Sequence, residues 1–118
     1  MKHLLILPLL LVAACGGGLD THEGVIDAQI EVFNDMASVF RTVKDKQSAE
    51  AAKPKLLKLK ERQKEIETAM EKLKGDPDPS LAMKKGAEAS KASQNMMQAM
   101  MAIPNDPEVQ RILDEVMR

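Results

Sequence analysis

The chain has 118 residues, of which 44% are hydrophobic and 30% charged, with one cysteine, two phenylalanines, no tryptophan or tyrosine, and a formal net charge of −1. That length accommodates one small domain, and the lone cysteine excludes a disulfide-stapled scaffold within one chain. The balanced charge gives no bulk attraction to nucleic acid or membrane, and the shortage of aromatics removes the stacking platforms that hold bases, so no nucleic-acid partner is expected.

The N-terminus reads Met1-Lys2-His3, then an apolar run from Leu4 to Val12, then Ala13-Ala14-Cys15. A basic start, a short apolar run and a small-residue end have the layout of a secretory signal peptide. The run falls short of the ~20 apolar residues needed to cross a bilayer core, and Pro8 interrupts it. Val12-Ala13-Ala14-Cys15 resembles a bacterial lipobox. The resemblance covers residues 1–18 and implies removal of 1–14, a diacylglyceryl thioether on Cys15 and an acyl group on its amine. The alternative is an ordinary signal peptide cut at the Ala-x-Ala-like site, which would leave Cys15 free. Two or more acyl chains hold a protein stably on a membrane where one does not, and Gly16-Gly17-Gly18 forms a flexible tether. Gly16 after the cysteine, in place of Asp, implies the periplasmic face of the outer membrane. The outer face of the cytoplasmic membrane is the alternative.

Four helices are predicted in the remaining domain, residues 19–118. The first covers about 19–45, with Asp20 or Thr21 as cap and Glu23 completing a capping box with Asp20. Ile26, Ile30, Phe33, Ala37 and Phe40 are spaced as one packed stripe. The second covers about 48–74 with Ser48 as N-cap. Ala52, Leu56, Leu59, Gln63, Ile66, Met70 and Leu73 alternate steps of four and three, a coiled-coil-like seam in which Gln63 either sets register or faces solvent. Pro54 should kink or loosen the first two turns. Gly75 to Ser80 is a break, with Gly75 at C′ and Asp78-Pro79 as cap and first helical residue. The third helix, about 79–103, has a thin inner stripe of Ala82, Gly86, Ala89 and Ser93, then a richer half ending in methionines. After Pro104-Asn105-Asp106-Pro107, a short helix to Met117 presents Val109, Ile112, Leu113 and Val116.

Three near-equal helices with short breaks predict an all-α, up-down-up antiparallel three-helix bundle: a coiled-coil-like hairpin, a looser third helix and a short C-terminal helix. Helices 1 and 2 should form its most stable part. Charge is segregated: residues 20–43 carry net −4 and residues 44–64 carry net +5. This basic block, with Lys53, Lys55, Lys58 and Arg62, is either a solvated helix face, the commoner case, or a surface for an anionic envelope or cell-wall partner.

Little in the residue inventory supports catalysis, and the protein is read as a non-enzyme. His22 is the one histidine after the leader, expected on the surface, and no zinc spacing, phosphate loop or nucleophile elbow occurs. Met36 could serve as an axial haem ligand, but no histidine follows His22 to complete the pair. The carboxylate pairs Asp27–Glu31, Glu31–Asp35, Glu61–Glu65 and Glu67–Glu71 lie mostly off the apolar stripes and read as solvated faces. Met96, Met97, Met100 and Met101 are soft thioethers that could hold Cu(I) or an apolar ligand, or serve as adaptable core filler or a pliable partner surface.

The segment from Val43 to Leu56, joining two amphipathic helices, is similar to small helical lipoproteins of some bacteria. The similarity implies a class and a cellular address only. The acylated cysteine followed by a long helix also resembles the structural lipoproteins of the outer membrane that end in a wall-linked lysine, but this sequence ends in Met117-Arg118. The expected role is a lipid-anchored, non-catalytic spacer or interaction module. No cofactor is expected beyond the covalent lipid on Cys15, and its partners would be the membrane and an envelope protein or the cell wall. Oligomeric state stays open.

Overall fold

The computed structural model describes residues 18–73 and 75–118. The signal segment, Cys15 and most of the glycine tether lie outside the described residues. Those described form four helices and no strand: α1 (His22–Phe40), α2 (Lys46–Lys72), α3 (Pro79–Met101) and α4 (Pro107–Met117).

Each helix begins on a side-chain cap. Thr21, not Asp20, starts α1, its Oγ1 accepting from the Gly24 N–H at 3.0 Å. The chain entering α1 passes so close that a Cβ on Gly24 would strike the Gly18 carbonyl oxygen. α1 ends at Phe40, five residues earlier than expected. The Thr42 and Val43 N–H groups turn back to the Val39 and Phe40 carbonyls, and Val43 is buried as the plug of the turn. Asp45 then caps α2, three residues upstream of the expected Ser48. Asp45 Oδ1 accepts from the Ser48 N–H at 2.8 Å, and Ser48 Oγ accepts from the Asp45 N–H at 3.0 Å. This is a capping box with Ser48 as its third-position partner. α2 runs unbroken through Pro54, where Glu50 and Pro54 are both exposed, so water can reach the carbonyl that the proline leaves without a donor. Leu73 closes α2, and Gly75 takes the left-handed conformation (φ +80°) that breaks the chain away. Asp78 and Asp106 cap α3 and α4 as the Asp-Pro pairs predict.

α1 packs on both α2 and α3, and α2 packs on α4. Among the described residues α3 makes no comparable contact with α2 or α4. The up-down-up course holds. Glu23 and Asp27 at the start of α1 meet Lys84 and Lys85 near the start of α3, and Asn34 and Arg41 meet Asn95 further along both helices. The expected three-helix bundle is realised as an open arrangement in which α2 and α3 flank α1 without packing on each other. Helix geometry shows why. Asp27 faces α3 and Gln29 faces α2, and two residues apart means nearly opposite sides of a helix that turns about 100° per residue.

The burial pattern follows from this double contact. On α1 the buried residues are Val25, Ala28, Val32, Met36, Ala37 and Phe40, whereas Ile26, Ile30 and Phe33 of the expected stripe are only half-buried. The α2 seam is observed with one exception. Ala52, Leu56 and Ile66 are buried, Leu59 and Leu73 pack against the core, and Met70 is exposed. Burying Leu56 and Ile66 fully is worth roughly 1.5–3 kcal/mol each. Gln63 sets register: its amide and that of Gln29 exchange two hydrogen bonds, each 2.9 Å. On α3 the inner residues are Ala92 and Ala99, with Met96 against the core, while Ala82 and Gly86 are exposed and Ala89 and Ser93 only half-buried. The expected small-residue stripe is therefore rotated, because Lys85 on that side is drawn to Asp27 and largely covered. All the apolar residues expected of α4 are buried.

Two stability measurements test this packing. Gly86 is helical, and a methyl group in place of its hydrogen would meet nothing within 4 Å. Gly86→Ala should therefore stabilise the fold by up to about 1 kcal/mol in urea denaturation. Gln29→Leu should cost about 1 kcal/mol by stranding the Gln63 amide, and Gln29→Leu with Gln63→Leu should recover most of it. Additive losses in that cycle would show that the amides do not act as a pair.

Candidate functional site

The described chain begins at Gly18, just before α1, so the expected tether would join at that end, called the tether end below. The parallel course of α1 and α3 places the C-terminal half of α3 at the opposite end, beside the turn from α1 to α2. The separation is the length of α1, 19 residues or about 28 Å. The two ends differ in chemistry.

At the tether end an open groove of about 570 Å³ is lined by Leu19, Asp20, Lys64, Glu65, Thr68, Ala69, Lys72 and Leu73. Its floor is apolar and its rim carries both signs of charge. His22 lies at this end and corrects the expectation of a surface residue: it is half-buried, and its Nε2 is enclosed without a hydrogen-bond partner among the described residues.

Along the α1–α3 contact a second groove, about 550 Å³, is lined by Ile30, Asn34, Glu88, Lys91, Ala92, Gln94, Asn95 and Gln98. Asn95 joins its walls: Oδ1 accepts from Arg41 Nη2, and Nδ2 donates to Asn34 Oδ1 at 3.4 Å. Nothing in the residue spacing points to this line of amides. Polar residues at the edge of an apolar stripe read as solvent-facing until the neighbouring helix is placed.

At the far end the four candidate methionines separate. Met96 turns inward against the core. Met97, Met100 and Met101 stay 56%, 45% and 82% exposed. Their i, i+3, i+4 spacing puts them within about 100° of arc on α3. The core is complete without these three side chains, so the filler reading applies to Met96 alone.

The basic candidates also divide. Lys55, Lys58 and Arg62 share a face of α2 by their spacing, and Lys53 lies across the helix from them, 3.8 Å from Glu50. Arg62 Nη1 is 3.1 Å from Glu65. Lys55 and Lys58 are exposed and form no ion pair among the described residues. Lys60, a member of the same basic block, has a structural role. Its ammonium donates to the Val116 carbonyl at 2.9 Å and to the Arg118 carbonyl, a cation on the electronegative end of α4. The spacing along α2 could not disclose this, since the acceptors are 56 and 58 positions away. Lys64, at the end of the block, lines the tether-end groove.

Among the described residues no three His, Cys, Asp or Glu side chains gather as a metal site. The carboxylates of the i,i+4 pairs are largely exposed, and Asp27 is bound to Lys85 Nζ at 2.9 Å. That carboxylate raises the Lys85 pKa above its ordinary value. No helix of the described residues is long and apolar enough to cross a membrane.

The caps of α2 and α3 depend on ionised carboxylates. The Ser48 N–H and hydroxyl hold the Asp45 carboxyl below its usual 3.8, and those of Ser80 do the same for Asp78. Groups with depressed folded pKa values stabilise above the unfolded value and lose that contribution as pH falls through the folded one. The urea midpoint should therefore drop below about pH 3.8, and less so in Asp45→Asn with Asp78→Asn, which keep an acceptor without the titration. Identical acid profiles would refute this account.

Compared with protein-family models, curated proteins and solved structures, the chain matches none of them.

Proposed function

We propose that this chain is a lipid-anchored, all-helical protein of the bacterial envelope that acts as a non-catalytic spacer and interaction module. The lipobox-like Val12-Ala13-Ala14-Cys15 supplies the anchor, and the outer membrane's periplasmic face is its proposed address. The observation that carries the reading is the opposition of two ends. The tether and α1 entry lie at one, and the exposed Met97, Met100 and Met101 at the other, with the cationic face of Lys55 and Lys58 on the half of α2 nearest it. Anchored by residue 15, such a body holds its apolar surface about 28 Å from the tether end and its cationic face part of the way along, since Lys58 is five residues from Gln63, the partner of Gln29.

The α2 seam, whose periodicity alone would also suit a partner, is occupied by α1 and α4. The Met-bearing face of α3 and the Lys55–Lys58 face of α2 are what remain for an envelope protein or cell-wall polymer.

One experiment in cells tests both halves. The native chain should sediment with membranes and give the mass of a triacylated N-terminal cysteine, and Cys15→Ala should move to the soluble fraction. A photo-crosslinker at position 101 should yield a partner adduct that the same probe at position 83, at the other end of α3, does not. Membrane retention of Cys15→Ala removes the anchor, and equal crosslinking at both positions removes the far-end surface.

A further inference from the structure

The exposed methionines of α3 have a chemistry narrower than apolar contact. Met97 stands one turn from both Met100 and Met101, with Cβ atoms about 5–6 Å away, and lies between these two neighbours on an arc of about 100°. Each side chain is unbranched with three rotatable bonds, so three sulfurs can close on one centre without moving the backbone. The chain around them is uncharged: from Ala92 to Asn105 there is no acidic or basic residue. Arg41 meets α3 at Asn95, two positions from Met97 and so across the helix.

Neutral thioether sulfur is a soft ligand that favours Cu(I), whereas Mg²⁺, Ca²⁺ and Mn²⁺ need oxygen donors, which are anionic in most sites. A face with three sulfurs and no carboxylate discriminates by ligand type. Packing leaves the three side chains without a structural task, since Ala92, Met96 and Ala99 make the contact on the inner side of α3. We infer that Met97, Met100 and Met101 form a surface site for one Cu(I) ion, held by three thioether sulfurs. Met96, the fourth soft residue of the segment, is excluded because it packs on the core. The ion binds without change of oxidation state. The inference does not depend on the lipid anchor, and where Cys15 carries no lipid the titration uses Cys15→Ala, because a free thiol is itself a soft Cu(I) ligand.

The test uses the full mature chain in detergent under anaerobic, reducing conditions. Cu(I) is titrated against a chromogenic Cu(I) chelator, and Ag(I), its redox-inert analogue, is followed through methionine methyl resonances. One equivalent of Cu(I) should bind, and the methyl signals of Met97, Met100 and Met101 should shift with Ag(I). Those of buried Met36 and of Met83, an isolated methionine that is 88% exposed, should stay in place. Each single Met→Leu substitution should weaken binding about tenfold or more, and the triple Met97→Leu, Met100→Leu, Met101→Leu variant should bind none. Leucine matches methionine in size and helix propensity, and an unchanged helical spectrum confirms that the variants fold. Three results overturn the inference: no competition with the chelator, Met83 shifting in step with the three, or unaltered uptake by the triple variant. A triple variant that changes association between copies while the native chain takes up no metal assigns the face to self-contact and also overturns it.

Discussion

α1 must satisfy two neighbours at once. Its buried residues extend from Val25 through Val32 and Met36 to Ala37 and Phe40, an arc too wide for one partner helix. α2 takes one side through the Gln29–Gln63 amide pair, and α3 takes another through Asp27, Asn34 and Arg41. Among the helices, α3 packs on α1 and α4 packs on α2. α1 is therefore the member that joins the two halves, and a change in its core residues reaches both.

The α3 contact works by close approach more than by area. Its buried members are Ala92 and Ala99, which bury little apolar surface, and the contact is completed by polar pairs at its edge. Surface ion pairs of the Lys85–Asp27 kind contribute modestly. Most of the heavier fully buried side chains, Leu56, Ile66, Ile112, Val109 and Val116, are on α2 and α4. α4 is tied down further by Lys60 on its terminal carbonyls. The heavier buried side chains thus lie on α1, α2 and α4, while α3, held closely against α1 through small residues, carries the exposed thioethers. A helix whose core contact uses small residues has its larger apolar side chains left for other work.

Helix number and approximate position are legible because the punctuation is local. Asp78-Pro79 and Asp106-Pro107 announce helix starts through groups within two residues of each other. The α2 seam is legible for a similar reason: steps of three and four place Leu56, Gln63 and Ile66 on one side whatever the partner is. Where two local signals compete, spacing does not choose between them. Ser48 has the chemistry of a cap, yet Asp45 takes that role, because the turn after Phe40 delivers Asp45 in extended conformation with Ser48 at the position that returns the bond. The methionines of α3 stand out as a cluster, but no spacing rule says which residue of an i, i+1, i+4, i+5 set faces inward.

The sequence by itself determined what depends on neighbours along the chain: an all-helical body, its breaks and caps, the seam of α2 and the apolar face of α4. Tertiary structure alone decided which sides of α1 are covered, that α2 and α3 stay apart, that Gln29 answers Gln63, that Lys60 closes α4, and that Met96 turns in while Met97, Met100 and Met101 turn out. The reason is geometric. Periodicity reports which residues share a helix face, but the rotation of each helix about its own axis is set by its partners, many residues away in sequence, and that rotation selects the residues left facing water.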